Sequence, residues 1–371
     1  MRLTIGGLQM AEHLWCHRLR FARSGGGAVC ASMTDHPSDH SLRAIPHAVG
    51  PEGDESKGIT RVFTHEPVML AEVLAIFATM KGGVVVDATV GGGGHSHAIL
   101  EAHDGVTIVG LDQDPAALVA AGARLAHFGD RVMLRRARFD EMTSQLAAIG
   151  VESIAGFLFD LGVSSPQLDR VERGFSYRSP GPLDMRMDPS APMDAASIVN
   201  NATEQELTRI LRDYGDERFA GRVGGAIVRA RPVATTTELA DIVRDAIPAA
   251  ARRRGGHPAK RTFQALRIAV NRELEILPGS LDQAIALLVP GGRGAVLAYH
   301  SGEDRIVKER LRFAENGGCT CPPRLPCACG AARVVRLLTR GARRPSAAEI
   351  ERNPRAESAR LRSVEKLAVA S

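Results

Sequence analysis

An apolar run, Val84-Val85-Val86, leads to Asp87, and the glycines Gly91, Gly92, Gly93 and Gly94 follow before His95 and Ser96. Glycine lets a backbone approach a ligand closely, and the N–H groups at a helix start can be aimed at it. Asp112 ends the next apolar run, VTIVGLD, eighteen positions after Gly94. A carboxylate at that place can accept from both hydroxyls of a ribose. Asp87, the glycines and Asp112 together imply an adenosine-containing cofactor. A dinucleotide fingerprint needs G-x-G-x-x-G, whereas here Gly91 and Gly93 are followed by Ser96. The loop therefore suits a smaller ligand without a pyrophosphate, such as S-adenosylmethionine.

A second polar segment follows another apolar run. GFLFDLGVSSPQLD brings Asp160, Ser164, Ser165, Pro166 and Gln167 to the end of a buried strand, the edge where open α/β sheets bind ligands. Methyltransferases acting on exocyclic amines usually carry a short polar segment with a proline at this edge, and SSPQ resembles a variant of it; a simple Asp-started turn with a proline has the same composition. Ser164, Ser165 and the carbonyls around Pro166 are candidates for polarising such an amine, with Asp160 as a further acceptor. Tyr299, His300 and Glu303 close a later strand and can line the same pocket, as can His65 and Glu66. Four cysteines, Cys319, Cys321, Cys327 and Cys329, read C-x-C-x5-C-x-C. Four thiolates can close a tetrahedral zinc site, although the usual knuckle spacing is C-x2-C. Zinc, a loop of reduced thiols and a redox-labile loop all stay open on spacing alone.

The elements that must hold these residues are legible in the periodicity. VVVDATV (84–90), VTIVGLD (106–112), RVMLRRARF (131–139) and GFLFDLG (156–162) read as strands. Helical stretches 97–102 and 115–127 separate the first three, which predicts parallel βαβ units and a doubly wound sheet. After Gly162 about 110 residues carry helix signals only. Thr203 with Glu206, and Thr235 with Glu238, form capping signatures before apolar periodic runs. A third helix over 258–274 buries Phe263, Leu266 and Val270 and presents Lys260, Gln264, Arg267 and Asn271 on a neighbouring stripe. Ser280 with Gln283 predicts a further helix start, then AVLAYHS a strand, EDRIVKERLRF a helix and VVRLLTR a late strand.

The chain thus divides into an N-terminal extension (1–60), a discontinuous α/β domain (61–168 and 276–345), an inserted helical substrate-recognition domain (169–275) and a polar C-terminal tail (346–371). The extension reads as disordered or as an over-long start, with translation beginning at Met33.

Composition narrows the class. The 371 residues are 44% hydrophobic and 24% charged, which excludes a fully disordered chain. No apolar stretch is long enough to span a bilayer, so no membrane partner is expected. Lys and Arg number 47 against 42 acids, and the net +5 suits a polyanionic partner. Arg252, Arg253, Arg254, Lys260, Arg261 and Arg267 form the densest basic stretch. Between Cys30 and Cys319 there is no cysteine, unlike a secreted disulfide scaffold, so a reducing cytoplasm is expected.

HEPVML (65–70), DATVGGGGHS (87–96), LDQDP (111–115), DLGVSSPQLD (160–169), RGFSY (173–177), GPLDMRMD (181–188), KRTFQALRIAVNREL (260–274) and YHSGEDR (299–305) occur in order. Together they resemble the MraW/RsmH family of bacterial 16S ribosomal RNA cytosine-N(4) methyltransferases, over roughly 64–366. The resemblance implies a Rossmann-like class I methyltransferase sheet with an inserted all-α domain. It also implies S-adenosylmethionine as cofactor and a decoding-centre cytosine of the small ribosomal subunit as target. Carried over by motif, Gly93, Gly94 and His95 face the methionine end and Asp112 the ribose. Phe139, ending the third strand, lies against the adenine, and Asp160 and Gln167 complete the site. The alternatives are a DNA amino-methyltransferase and a non-catalytic RNA-binding protein of ribosome assembly. The oligomeric state, monomer or homodimer, is left open.

Overall fold

A computed structural model describes residues 67–253, 256–322 and 328–368. Five strands, β1 (Gly83–Asp87), β2 (Val106–Asp112), β3 (Val132–Arg136), β4 (Ile154–Asp160) and β5 (Leu288–Ala298), run parallel. With β6 (Val335–Leu337) and β7 (Arg360–Lys366) they form one sheet in the order β3-β2-β1-β4-β5-β7-β6. Only β7 is reversed, antiparallel to both β5 and β6. The order turns back between β1 and β4, so the crevice beyond their C-terminal ends is the expected ligand position.

Both faces of the sheet are covered, which is why its strands are almost continuously apolar. Val85, Ile108, Leu158 and Leu297 point to one face, packed with α1 (Leu70–Phe77), α2 (Gly94–Ala102) and α3 (Pro115–Leu125). Val86, Val109, Phe157, Phe159 and Val296 point to the other. There they meet α4 (Met142–Ala147), α12 (Glu273–Leu287) and α13 (Ser301–Asn316). Between β4 and α12 lie α5 (Ser165–Asp169), α6 (Ala195–Asn201), α7 (Glu204–Gly215), α8 (Ala220–Ala230), α9 (Thr236–Ala246), α10 (Ala249–Arg252) and α11 (Lys260–Asn271). α6 to α9 and α11 enclose a core of their own, including Leu207, Leu211, Val223, Leu239, Val243, Phe263 and Leu266.

The caps at Thr203 and Thr235 form: each hydroxyl accepts from the backbone N–H of Glu206 or Glu238. Ser280 behaves differently. It lies well inside α12, which starts at Glu273 after Arg272 takes a left-handed turn (φ 55°). The Ser280 hydroxyl donates to the Ile276 carbonyl one turn back, 2.8 Å away, so a cap-like residue type is used as an internal side-chain bond.

The C-terminal segment is the larger correction. Residues 346–371, expected as a polar tail, supply α14 (Ala347–Arg352) and β7. β7 is inserted between β5 and β6, with Leu361, Ser363 and Val364 buried. Its charges mask its period. Arg360 and Arg362 bond Asp304 at 2.9 and 2.8 Å, and Glu365 pairs with Arg293 and Arg336. VVRLLTR contributes only Val335–Leu337 as strand, and β3 ends at Arg136, before Phe139. Residues 1–60, with His65 and Glu66, lie outside the described residues.

Candidate active site

β1, β2 and β4 each end in an aspartate, and the three are neighbours in the sheet. The buried Asp87 accepts from the Ser96 hydroxyl at 2.6 Å and the Thr89 N–H at 3.3 Å, tying the glycine loop to its strand. Burial pushes its carboxyl above the usual range, against the pull of Ser96. Asp112 accepts from the N–H groups of Gly91 and Asp114, both at 2.9 Å. Burial raises it to about 6, the two backbone bonds opposing the rise. The glycine loop turns through Gly93 (φ 75°), which caps α2. A methyl group at Gly94 would lie 2.6 Å from Pro67 Cγ, so the loop can close only with glycine there.

Asp160 holds the centre. Its Oδ1 accepts from the Tyr299 hydroxyl at 2.6 Å, and its Oδ2 lies 3.6 Å from Nδ1 of His95. The other ring nitrogen of His95 is 3.0 Å from the Val68 carbonyl. Donation there leaves Nδ1 turned toward the carboxylate. Burial raises Asp160 above the ordinary carboxyl range, with His95 and Tyr299 pulling it back. Burial and the adjacent Asp160 keep the Tyr299 phenol protonated, well above its normal value.

Behind Tyr299, Glu303 accepts from the Tyr299 N–H at 2.7 Å and lies 3.0 Å from Nε2 of His300. Burial would raise Glu303, but His300, Arg267 and the Tyr299 N–H together leave it below its ordinary value. Arg267 grips Glu273 through two 2.9 Å bonds.

Asp112, Asp160, His95, Tyr299, His300, Glu303 and Arg267 share one cavity of about 1490 Å³, whereas Asp87, Ser96 and Gly93, the last expected at the cofactor, are not on its lining. Its sheet side is lined by Gly91, Gly92, Gly94, His95, Asp112, Phe139, Asp160 and Ser164, and its helical side by Tyr177, Lys260, Phe263, Gln264, Arg267 and Asn271. Phe139 opens a 3-10 turn after β3 and meets Phe159 edge-to-face, with ring centres 5.7 Å apart. Gln167 is bound at both ends of its amide: Nε2 donates to Asp114 at 2.9 Å and Oε1 accepts from the Ser164 N–H at 3.0 Å. It lines the cavity while fastening the Ser164 loop to α3. The side chains of Ser165 and Pro166 lie outside the described ones.

Asp114 is the residue that motif reading passed over. It caps α3 through Ala116 and receives Gln167 and, at 2.9 Å, Arg173. The Asp-Pro pair at 114–115 was the available signal for that cap. Away from the cavity, Cys319, Cys321 and Cys329 converge, with their sulfurs all within 4.8 Å of one another; Cys327 lies outside the described residues.

The lining fits S-adenosylmethionine: the Asp112 carboxylate could accept from ribose hydroxyls, the Phe139 ring could lie against a base, and Gly91, Gly92 and Gly94 leave room for close approach. A sheet ordered 3-2-1-4-5-7-6 with only its seventh strand reversed, carrying that site at its switch point, defines a class I methyltransferase dependent on this cofactor. Residues 62–367 match the model of the MraW methylase family, and the chain belongs to that family. Among its relatives is ribosomal RNA small subunit methyltransferase H of Mycobacterium sp. (strain KMS), 54% identical over 313 residues, covering 82% of this chain and 84% of that protein. The proteins of the same name from Heliobacterium modesticaldum and Geobacter sulfurreducens are 54% and 51% identical, each covering 82% of this chain and 99% of theirs.

Proposed function

We propose that this chain transfers a methyl group from S-adenosylmethionine to the exocyclic N4 amine of a cytosine in 16S ribosomal RNA of the small subunit. The observation that carries the reading is the size and lining of the cavity. Sites for one small molecule measure roughly 300–1,000 Å³. About 1490 Å³ leaves room for a nucleotide beside the cofactor, and the bonded pair Asp160 and Tyr299 lines it together with the glycine loop and the helical residues.

S-adenosylmethionine, when bound, supplies an electrophilic methyl on a sulfonium. The chain must then orient a weak nucleophile, since the amine lone pair is delocalised into the ring. Asp160, steered by Tyr299 and His95, is placed to accept a hydrogen bond from that amine. Its raised pKa suits it to take the proton released as the N–C bond forms and the S–C bond breaks. Ser164 and the backbone of its loop are the next acceptors along the same wall. Phe263 and Tyr177 give the base an apolar and aromatic surface once it is unstacked, at a cost of a few kcal/mol. The exposed Arg124, Arg178 and Lys260 on the lining offer the phosphate contacts that offset this. A ribosomal substrate places the enzyme in the cytoplasm. Among the described residues no helix is long and apolar enough to cross a membrane.

The test is tritiated S-adenosylmethionine offered to 30S particles, naked 16S RNA and DNA in parallel, followed by nucleoside analysis. N4-methylated cytidine from RNA or particles is expected. Label in DNA alone would make it a DNA amino-methyltransferase, and cofactor binding without transfer would leave a non-catalytic RNA-binding role.

A further inference from the structure

We propose that Cys319, Cys321 and Cys329 bind a zinc ion that clips together the connection between α13 and β6. α13 ends at Asn316, and Gly317 and Gly318 both turn the chain in the left-handed region (φ 64° and 73°). The returning segment comes back to the same point. A methyl group on Gly317 would lie 2.3 Å from the Ala332 carbonyl oxygen, and the Val334 N–H donates to the Ala314 carbonyl at 2.9 Å. The connection therefore leaves and re-enters the fold through one narrow neck.

Beyond the neck, the described residues offer little to hold their shape. They form no regular element, and Thr320, Pro322, Ala328, Gly330 and Ala332 are exposed. A long loop without an element or a core of its own calls for another constraint. The cysteines come from both limbs of this loop, yet their sulfurs lie within 4.8 Å of one another. Around a tetrahedral zinc with Zn–S bonds of about 2.3 Å, sulfurs stand about 3.8 Å apart, so small side-chain adjustments complete the site. Soft thiolates select zinc over magnesium or calcium. The three thiols supply three of the four positions such an ion takes. Binding forms sulfur–zinc bonds and releases the thiol protons to solvent, with no change of oxidation state.

No described residue of 317–334 lines the cavity, so the ion is structural. It fixes the start of β6, whose Val335 is buried in the sheet core, and leaves the chemistry to the other end of the molecule.

The experiment is elemental analysis of the full chain, produced with zinc in the medium and purified without a metal-affinity step. About one zinc per chain is expected, falling at least tenfold in the Cys319→Ser/Cys329→Ser double variant. Unchanged S-adenosylmethionine binding by calorimetry serves as the control for folding of that variant. Independently of any variant, cobalt(II) added to metal-stripped wild type should give strong thiolate-to-cobalt charge-transfer absorption, abolished by excess zinc. Three results would each overturn the proposal: wild type with less than about a tenth of an equivalent of zinc and no cobalt–thiolate band, an intact mass lower by two hydrogens from a disulfide in this loop, or full zinc retained by a folded double variant.

Discussion

Asp87, Asp112 and Asp160 are chemically identical and one strand apart, yet their surroundings divide the work. Asp87 accepts from Ser96 and Thr89, is buried away from the cavity lining and serves the loop. Asp112 keeps acceptor capacity beyond its two backbone bonds and faces the cavity. Its carboxyl titrates at about 6, and the ionised form is the better acceptor for ribose hydroxyls. Affinity for S-adenosylmethionine should therefore fall as pH drops through 6, approaching tenfold per unit below it. Calorimetric titration between pH 5 and 8 checks this, and Asp112→Asn should bind more weakly with no inflection near 6. The same shift has the opposite sign for folding. The unfolded carboxyl titrates near 3.8, so this group's stabilisation of the cofactor-free protein is fully present below that pH. It is lost as pH rises through 6. Asp160 depends instead on Tyr299. Tyr299→Phe removes one charge-assisted bond, and kcat should fall about tenfold or more with the KM for S-adenosylmethionine nearly unchanged. A parallel loss in cofactor affinity would mean that the tyrosine holds the binding loop rather than the acceptor.

At the scale of elements, the site depends on how the segment through Met185 and Met187 is fastened to α11 within the helical block. Asn271, at the end of α11, donates to the Met185 carbonyl and accepts from the Met187 N–H, both at 2.8 Å. Met185 is itself held left-handed at φ 61°, and Met187 lines the cavity. Asn271→Ala leaves two buried backbone groups without these partners and should destabilise the fold by about 2–4 kcal/mol in denaturant titrations. Electrostatics at the mouth belong to the same elements. Arg178→Ala and Lys260→Ala should weaken RNA binding and each flatten the slope of log K against log[salt] by about 0.7, with S-adenosylmethionine binding unaffected. Within the Arg252–Arg254 run, Arg252 has an acidic neighbour and Arg253 is exposed. Arg252 lies 3.8 Å from Asp245, while Arg254 falls outside the described residues.

For the molecule as a whole, what could be read in the sequence was whatever is local. The valines of β1, the Asp112 that ends β2 and the caps at Thr203 and Thr235 each depend on residues a few positions apart. The Tyr299–Asp160 bond spans 139 positions, and the Gln167–Asp114 bond 53, so only the folded chain brings these pairs together. β7 was hidden for the same reason. Arg360 and Arg362 look like a solvated tail until Asp304 of α13 is beside them, while Leu361 and Val364 enter the core. This placement makes the sheet depend on residues 360–366. β7 pairs with β5 from Arg293↔Glu365 to Ala298↔Arg360 and carries β6 on its other side. A chain stopped after Ala359 would lose that strand from within the sheet. It would expose the β5 edge, strand β6 and leave the Asp304 carboxylate without both arginines. We expect this truncation to be insoluble or to lack a cooperative unfolding transition. A chain stopped after Ala368 keeps all of β7 and should melt within a few degrees of the full protein. Circular dichroism melts of the two truncations decide the matter, and a cooperatively folded chain ending at Ala359 would show that β7 covers the sheet without completing it.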